Sequence, residues 1–389
     1  MFFMRNVAVI GVGMTKFGEL WDYSLRQIFT MAAIEALEDA GCSNRDIEAF
    51  YVGNMSAGLF IGQEHLGALL ADNAGLKNIP AMRVEGACAS GGLALREAYL
   101  TIKAGEYDLV MVGGIEKMSD SPCTEDVTTT LGAAADQEWE TFVGLTFPGA
   151  YALIAKAHME RYGTTKEQLA MVAVKNHKNG KNNPKAQFRR EITIEQVLAS
   201  GIVADPLSLL DCSPISDGGA AVILASEDMA KKFSDTPVWI LGSGQASDTL
   251  ALHDREDLTS LKATRLAAEK AYTAANMGPK DVNFAEVHDC FTIAEIVATE
   301  DLGFFHPGGG GKAVEEGLTE VDGKIPINPS GGLKAKGHPV GATGVAQVVS
   351  VVEQLRGEAH KRQVNRAETA LTHNVGGSGA TAVVHIFSR

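Results

Sequence analysis

Two segments of the chain carry the same pattern of residues. Residues 24–53 and residues 260–289 each begin with Ser-Leu, continue with helical periodicity to a Gly, and end in a predicted strand. In the first copy, Gly41 is a natural C-terminal helix cap. Residues 86–114 and 337–377 form a second matching pair, each a Gly-rich turn that opens a long helix and precedes a strand ending in Gly-Gly. The repetition predicts a duplicated α/β protein.

Five strands are predicted in each half of the duplication. They cover residues 7–14, 49–53, 81–86, 108–116 and 220–226 in the first half, and residues 238–246, 284–289, 326–330, 369–376 and 380–387 in the second. Apolar strands such as VAVIGVG predict sheets that are covered on both faces. The segment 119–215 has no counterpart in the second half, so it is predicted to be an inserted loop domain. The predicted divisions are therefore 1–118 with 216–236, then 119–215, then 237–389.

The charge balance and the cysteine count exclude several classes of protein. The chain of 389 residues carries 48 acidic and 34 basic side chains, a net charge of −14, which argues against binding nucleic acid or an anionic membrane surface. No run of about 18 apolar residues occurs, and the first residues do not resemble a signal peptide, so a cytoplasmic protein is expected. Five cysteines without a Cys-x-x-Cys pair disfavour a disulfide framework and a zinc site, and no metal is predicted.

Cys88 lies in a turn that is typical of a catalytic nucleophile. It is flanked by small residues in the segment 84–92, between a predicted strand and a long helix with apolar periodicity. The helix dipole and the free N–H groups at a helix start favour a thiolate, and predict a thiol pKa lowered toward about 3.5–7.5. The alternative is that Cys88 is a small buried hydrophobic residue, the usual role of a free cysteine.

His338 occupies the equivalent turn of the second half, in GHPVGATG. A pseudo-twofold relation between the halves would bring the two turns together, and a His there can accept a thiol proton. Two further motifs end strands on the same side: His288 and Cys290 in EVHDCF, and the glycines of HNVGGSG at 373–379. Structural caps explain either motif alone about equally well, and the shared position is what favours a site.

At these residues the sequence resembles the thiolase superfamily, over essentially its whole length. The resemblance rests on ACASG around Cys88, NPSGGLKAKGHPVGATG at 328–344, and HNVGGSG. Ordinary thiolases have Asn-Glu-Ala-Phe and Cys-x-Gly motifs where this chain has HDCF and HNxGGxG, which is similar to the sterol-carrier-protein-type branch and the archaeal acetoacetyl-CoA thiolases. The resemblance implies a five-layer αβαβα fold with two five-stranded mixed sheets. It also implies a homodimer or dimer of dimers, CoA thioester substrates such as acetyl-CoA, and no permanently bound cofactor.

The resemblance also implies a role for each motif residue. Cys88 would be the acylated nucleophile, and His338 would activate it and donate to an oxyanion together with His288, which replaces the Asn of ordinary members. Cys290 would exchange the proton of the α-carbon, and the N–H groups of Cys88 and Gly376 would form a second oxyanion hole. The implied activity is that of an acetyl-CoA C-acetyltransferase, which condenses two acetyl-CoA molecules or runs the reverse thiolysis, feeding the mevalonate pathway.

The position of the missing Cys-x-Gly cysteine falls on Asn374 or a near neighbour, which cannot do the work of a thiol. The resemblance therefore implies that Cys290 replaces the missing cysteine.

A basic stretch is the candidate for binding CoA phosphates. Residues 175–190 contain six Lys or Arg and no acid, and Lys178, Lys181 and Arg189 are the candidate contacts. Ser247 and Lys336 are further candidates. The alternative is a solvated basic loop. The resemblance also suggests a complex with hydroxymethylglutaryl-CoA synthase through a small zinc-ribbon and OB-fold protein.

Two other functions remain open at this stage. A decarboxylating ketoacyl synthase also uses a Cys-His-His set, but it makes its carbanion by losing CO₂ and needs no second thiol, so Cys290 favours the thiolase. A non-catalytic acyl-CoA-binding scaffold would not need the full set of Cys and His residues.

Overall fold

The structure, a computed structural model, describes residues 5–389. Its strands are β1 (Val7–Met14), β2 (Ala49–Gly53), β3 (Ala81–Val84), β4 (Leu109–Glu116), β5 (Ile202–Ala204), β6 (Leu207–Ser208), β7 (Gly218–Ser226), β8 (Val238–Ser247), β9 (Phe284–Glu286), β10 (Thr369–Gly376) and β11 (Thr381–Ser388). Nine of them form one mixed sheet in the order β3-β2-β4-β7-β1-β8-β11-β10-β9, and β5 pairs with β6. The α/β class predicted from the repeat is confirmed.

Thirteen α-helices accompany the strands in the described residues. They are α1 (Leu25–Ala40), α2 (Ala57–Ile61), α3 (Leu66–Asn73), α4 (Ser90–Ala104), α5 (Thr124–Gly132), α6 (Phe147–Tyr162), α7 (Lys166–Lys181), α8 (Ile194–Leu198), α9 (Glu227–Phe233), α10 (Lys262–Ala275), α11 (Thr292–Asp301), α12 (Gly310–Glu315) and α13 (Thr343–Arg356). The local sequence sets their limits, as in α1. Ser24 and Gln27 form a capping box at its start, and Gly41 ends it in the left-handed conformation.

The two halves of the sheet mirror each other about the contact between β1 and β8. Outward from that contact the first half runs β1, β7, β4, β2, β3, and the second runs β8, β11, β10, β9. The expectation of two separate sheets is wrong in this respect, because Ala8 pairs with Trp239 and Val9 with Val238. Only these two residue pairs join β1 to β8, so the two halves of the sheet are connected over a short stretch.

The predicted strand at 326–330 does not form. Ile327 makes a single bridge to Ala285, and Asn328 then turns the chain with a φ of +56°. The backbone N–H of Ser330 donates to the Glu286 carboxylate instead of to a neighbouring strand. The second half therefore contributes four strands, because the pairing of this segment with β9 stops at the turn at Asn328.

Alternate residues of each strand face different layers of the protein. Val9 packs inward with α4 and α13, whereas Ile10 packs outward with α1, α3 and α9. In the second half, Ala370 faces the same inner helices and Leu371 faces α10 and α11. The order is therefore outer helices, half-sheet, inner helices, half-sheet and outer helices, which confirms the five layers.

The inner helices approach closely because small residues lie between them. A Cβ placed on Gly91 at the start of α4 would lie 2.8 Å from the carbonyl oxygen of Gly341, just before α13. The segment 119–215 packs on the second half, where Tyr151, Ile154 and Leu169 share a core with residues of α11. Within residues 5–389, none of the helices combines the length and the apolar character that crossing a membrane requires.

Candidate active site

Two Gly-rich turns meet where the inner helices begin. After β3 the chain makes a single 3-10 turn, Ala87–Ala89, and α4 starts at Ser90. The Ser90 hydroxyl accepts the N–H of Gly86 and donates to the carbonyl of Ala87, which fixes the turn. The second turn covers residues 337–342 before α13. The strand-to-helix position predicted for Cys88 is confirmed.

Cys88, His288 and His338 lie together in one buried cluster. The Cys88 sulfur and one ring nitrogen of each histidine are all within 4.8 Å of one another. The two imidazole rings meet edge to face, with centroids 5.1 Å apart. Cys88 is 9% exposed and both histidines are buried. Residues that are 50 to 250 positions apart in sequence thus form a pocket suited to proton transfer.

The cluster is also the one group of this kind, within residues 5–389, whose donor atoms are close enough to share a metal ion. A thiol and two imidazoles are also groups used in acid–base catalysis, and their contacts in a ligand-free site are often longer than in the complex with substrate.

Burial raises the pKa of the Cys88 thiol to about 12. The N–H of Gly377 at the sulfur lowers the pKa, and the Glu116 carboxylate raises it, but desolvation is the largest effect. The prediction that the helix start would lower this pKa is wrong, because burial disfavours the thiolate by more than the backbone N–H groups of Gly377 and Cys88 favour it. Cys88 is therefore a thiol at neutral pH in the free protein.

Burial shifts the pKa values of the histidines in the opposite direction, for the same reason. Burial lowers the pKa of His338 and of His373 to about 3, and lowers that of His288 well below its usual range. Desolvation disfavours the charged form of either type of group. The pocket therefore holds a neutral thiol beside neutral imidazoles.

Asn374 and Thr343 each contact one histidine of the cluster. The Asn374 amide nitrogen is 3.2 Å from Nδ1 of His288, and it also donates to the carbonyl oxygen of Cys88 at 3.0 Å. Thr343 Oγ1 is 2.7 Å from Nδ1 of His338. Sequence reasoning missed both contacts, although Asn374 belongs to the HNxGGxG motif.

Cys290 lies beside the same pocket, after β9. It is buried, and burial raises its pKa well above that of a free thiol, with the nearby Cys88 adding to the effect. The Tyr151 hydroxyl lies against Cys290 and donates to the carbonyl oxygen of Gly377 at 3.1 Å. Tyr151 belongs to the inserted segment, where no motif marked it.

A buried carboxylate connects the second turn to the segment that follows β2. Glu116, at the end of β4, accepts the N–H groups of Met55, Ser56 and Gly341. Burial raises the pKa of Glu116 to about 7. An acid at the end of an apolar strand is a sequence pattern from which this buried carboxylate could have been predicted.

The glycines of HNVGGSG approach the Cys88 turn closely. A Cβ on Gly376 would lie 2.3 Å from the carbonyl oxygen of Gly86, so no larger residue fits there. The backbone N–H that the structure places at the Cys88 sulfur belongs to Gly377. Gly376, the expected oxyanion donor, is the preceding residue in the same segment.

The basic stretch 175–190 contains no acid, but acids from outside the stretch pair with two of its lysines. Lys178 pairs with Glu320 at 2.8 Å, and Lys181 pairs with Glu191 at 2.9 Å. Both lysines are exposed, and surface ion pairs contribute little energy, so the ammonium groups stay available to a ligand. Arg189 is also exposed.

The other two CoA candidates differ from each other. Lys336 is 1% exposed and faces Glu286 at 3.6 Å, so the expectation that it contacts a nucleotide is wrong. Its side chain points to the buried carboxylate of Glu286 instead of to the surface. Ser247 is exposed at the end of β8, opposite Thr381, near the turn that joins β10 to β11.

The comparison with known proteins agrees with the fold. The model for the thiolase N-terminal domain matches residues 7–228, and the model for the thiolase C-terminal domain matches residues 244–389. The chain therefore belongs to the thiolase family, and it is an acyltransferase.

Full-length relatives extend this match. An acetyl-CoA acetyltransferase of Methanothermobacter thermautotrophicus is 59% identical over 386 residues, which cover 99% of this chain and 100% of the relative. Sterol carrier protein 2 of Bos taurus is 38% identical over 98% of this chain and 72% of its own length. A solved structure titled "Ltp2-ChsH2(DUF35) aldolase" superposes with a TM-score of 0.86 at 24% identity, over 99% of this chain and 98% of that one, and shows the same fold.

Proposed function

We propose that the protein is an acetyl-CoA C-acetyltransferase that joins two acetyl-CoA molecules into acetoacetyl-CoA and CoA, or catalyses the reverse thiolysis. The observation that carries the proposal is the Cys88 sulfur within 4.8 Å of ring nitrogens of His288 and His338. The choice of acetyl-CoA is supported by the 59% identical relative of that name.

In the first half-reaction Cys88 takes the acetyl group. Its thiol gives a proton to His338 as the sulfur attacks the thioester carbon. The bond between that carbon and the CoA sulfur then breaks, and the departing CoA thiolate takes the proton of Cys290. An acetylated Cys88, an imidazolium at His338 and a thiolate at Cys290 remain, and the new thioester keeps the reactivity of the old one.

The second half-reaction returns both protons. The Cys290 thiolate removes a proton from the methyl group of a second acetyl-CoA, and the carbanion attacks the acetyl carbon on Cys88. The carbon–sulfur bond to Cys88 breaks, and the Cys88 thiolate takes back the proton from His338. Raised pKa values at both cysteines suit this cycle, because each starts and ends as a thiol.

Negative charge develops on oxygen at two places in this cycle. The enolate oxygen of the second acetyl-CoA needs donors from His288 and His338, and the tetrahedral intermediates on Cys88 need the N–H groups of Cys88 and Gly376. The Gly377 N–H at the sulfur supports a donor role for this segment. Each preorganised donor contributes about 10²–10³ in rate.

The two alternative activities leave the second thiol or the buried histidines without a role. A decarboxylating synthase needs no second thiol, whereas Cys290 is buried beside Cys88. A scaffold that only binds acyl-CoA needs no pair of buried histidines at a thiol.

We extend the proposal to the CoA contacts, the oligomeric state and the partners of the protein. Lys178, Lys181, Arg189 and Ser247 contact CoA, and 119–215 is a separate inserted unit between two thiolase halves. In this proposal the protein is a cytoplasmic homodimer or dimer of dimers that feeds the mevalonate pathway. Its partners are hydroxymethylglutaryl-CoA synthase and a small zinc-ribbon and OB-fold protein, which copurification of tagged chains tests.

The activity is tested by supplying acyl-CoA substrates separately. Acetoacetyl-CoA with CoA should give two acetyl-CoA, and acetyl-CoA alone should give isotope exchange with labelled CoA. Activity that requires malonyl-CoA and releases CO₂ would instead identify a decarboxylating synthase, and binding without exchange would identify a scaffold.

A further inference from the structure

The Asn374 side chain has three partners whose hydrogen-bonding roles fix its orientation. The backbone N–H of Gly92 points at its Oδ1 at 3.2 Å, and the carbonyl oxygen of Cys88 lies 3.0 Å from its Nδ2. A backbone N–H can only donate and a backbone carbonyl can only accept. The amide therefore cannot be reversed, and its NH₂ group faces the third partner, Nδ1 of His288, at 3.2 Å.

This orientation decides which nitrogen of His288 carries the proton. An NH₂ group donates, so Nδ1 of His288 must accept with its lone pair, and the ring proton lies on Nε2. Nε2 is buried and has no hydrogen-bond partner in the protein. Because Nδ1 is occupied by Asn374, Nε2 is the edge of the ring left for the pocket that holds Cys88 and His338. A buried donor without a partner marks a place where a ligand acceptor fits.

His338 is held in a different way. Its Nδ1 is 2.7 Å from Thr343 Oγ1, and that hydroxyl is also 3.0 Å from the carbonyl oxygen of Pro339. A hydroxyl can donate to the ring, or it can accept from the ring while donating to Pro339. This contact permits His338 to change its protonation state, whereas the amide at His288 does not.

We propose that Asn374 is a positioning residue that locks His288 in the Nε2–H tautomer, as a fixed hydrogen-bond donor to the substrate's thioester oxygen. The lock also prevents His288 from competing with His338 as the proton acceptor for Cys88. The substrate part of this statement rests on the proposed function, whereas the tautomer does not. Asn374 thus has a task of its own within the HNxGGxG motif.

The tautomer is measured directly in the full-length protein without substrate. The histidines are labelled with ¹⁵N, and the His288 signals are identified by their loss in His288→Gln. We expect an unprotonated Nδ1 and a protonated Nε2 at every pH from about 5 to 9. A protonated Nδ1, or a mixture that changes with pH, would overturn the proposal. An inactive wild-type protein would overturn the proposed function and leave this measurement unaffected.

Asn374→Asp replaces the donor with an acceptor of the same size. We expect Nδ1 of His288 to gain a proton, and kcat for condensation to fall about 10²-fold with KM changed less than about twofold. Gln347→Glu is the matched control, because Gln347 is a buried amide that bonds the backbone oxygen of His373 and contacts no ring nitrogen. The control should leave the His288 signals unchanged.

A double-mutant cycle separates positioning from packing. In the His288→Gln background there is no tautomer to select, so Asn374→Asp should cost less than about threefold in kcat. A loss of the same size in both backgrounds would show that Asn374 acts only through the Cys88 carbonyl, and would overturn the proposal. Should the acid variant not fold, the ¹⁵N spectrum of the wild-type protein still decides the matter.

Discussion

The two Gly-rich turns at the centre of the molecule are equivalent by duplication but carry opposite chemistry. The first presents a thiol and the second an imidazole. Burial moves the pKa of Cys88 up to about 12 and that of His338 down to about 3, so each group stays neutral until a substrate arrives. Neither half alone contains the full set of groups, because one turn supplies the thiol and the other the imidazole.

The largest effect is expected from removing either member of this pair. Cys88→Ala and His338→Ala should each reduce thiolysis of acetoacetyl-CoA by about 10³-fold or more, because they act in one proton transfer. Residues that act as a unit have non-additive effects, so the double variant should be no worse than the worse single one. Steady-state rates of the three variants check this. Multiplied losses in the double variant would mean that the two turns work independently.

Cys290 distinguishes acylation from condensation. In Cys290→Ala, the α-proton has no acceptor, so condensation should fall by about 10²–10⁴-fold. Acetylation of Cys88 should remain within about tenfold, because water can protonate the departing CoA thiolate. The measurement is deuterium uptake into the methyl group of acetyl-CoA, set against burst acetylation of the same variant. Uptake at the wild-type rate would assign the base to another group.

The close packing between the two turns is tested by adding one methyl group to Gly91. In Gly91→Ala the new Cβ meets the Gly341 carbonyl oxygen at 2.8 Å, and overpacking of this kind costs about 1–3 kcal/mol of unfolding free energy. Gly201→Ala is the matched control, because no atom lies within 4 Å of its Cβ. Denaturant unfolding of both variants is the test, and equal stability would show that the inner helices can move apart freely.

The raised pKa of Cys88 predicts how its alkylation depends on pH. Below a pKa of about 12 the thiolate fraction rises tenfold per pH unit, so iodoacetamide labelling should accelerate steadily from pH 7 to 10. A thiol with a lowered pKa would react at a constant rate over that range. Peptide mass mapping follows Cys88 separately from the exposed Cys123, and a plateau at Cys88 near pH 8 would contradict the burial argument.

The smallest effect is expected far from both turns. Neutralising Lys178, Lys181 and Arg189 together should raise KM for CoA a few-fold and weaken its dependence on salt, because exposed charges are screened beyond about 10 Å at 0.1 M. The kcat should not change, since these side chains lie on the surface. A KM that stays the same at every salt concentration would place the nucleotide elsewhere.

Features set by neighbours in sequence could be predicted. The Cys88 turn, the start of α4 and nine of the ten strands follow from local patterns of Gly, Ser and alternating apolar residues. The meeting of Cys88 with His338 followed from the duplication, because equivalent turns in two related halves face each other.

Features set by distant neighbours could not be predicted. The pKa of Cys88 depends on its burial among residues distant in sequence, such as Met55, Val127 and Val340, which no local pattern records. Glu320, which pairs with Lys178, and Glu286, which faces the buried Lys336, are distant from these lysines in sequence. The segment at 326–330 has strand-like residues, but Glu286 takes one of its backbone N–H groups. The role of Asn374 is visible only when its three partners are seen together.

The central claim is that Cys88 carries the acyl group during the reaction. The most direct measurement is to incubate the protein with ¹³C-acetyl-CoA, quench in acid and map the peptides by mass spectrometry. We expect one labelled acetyl group on Cys88, with labelling slowed about 10²-fold or more in His338→Ala. Label on Cys290 alone, or on no cysteine, would contradict it.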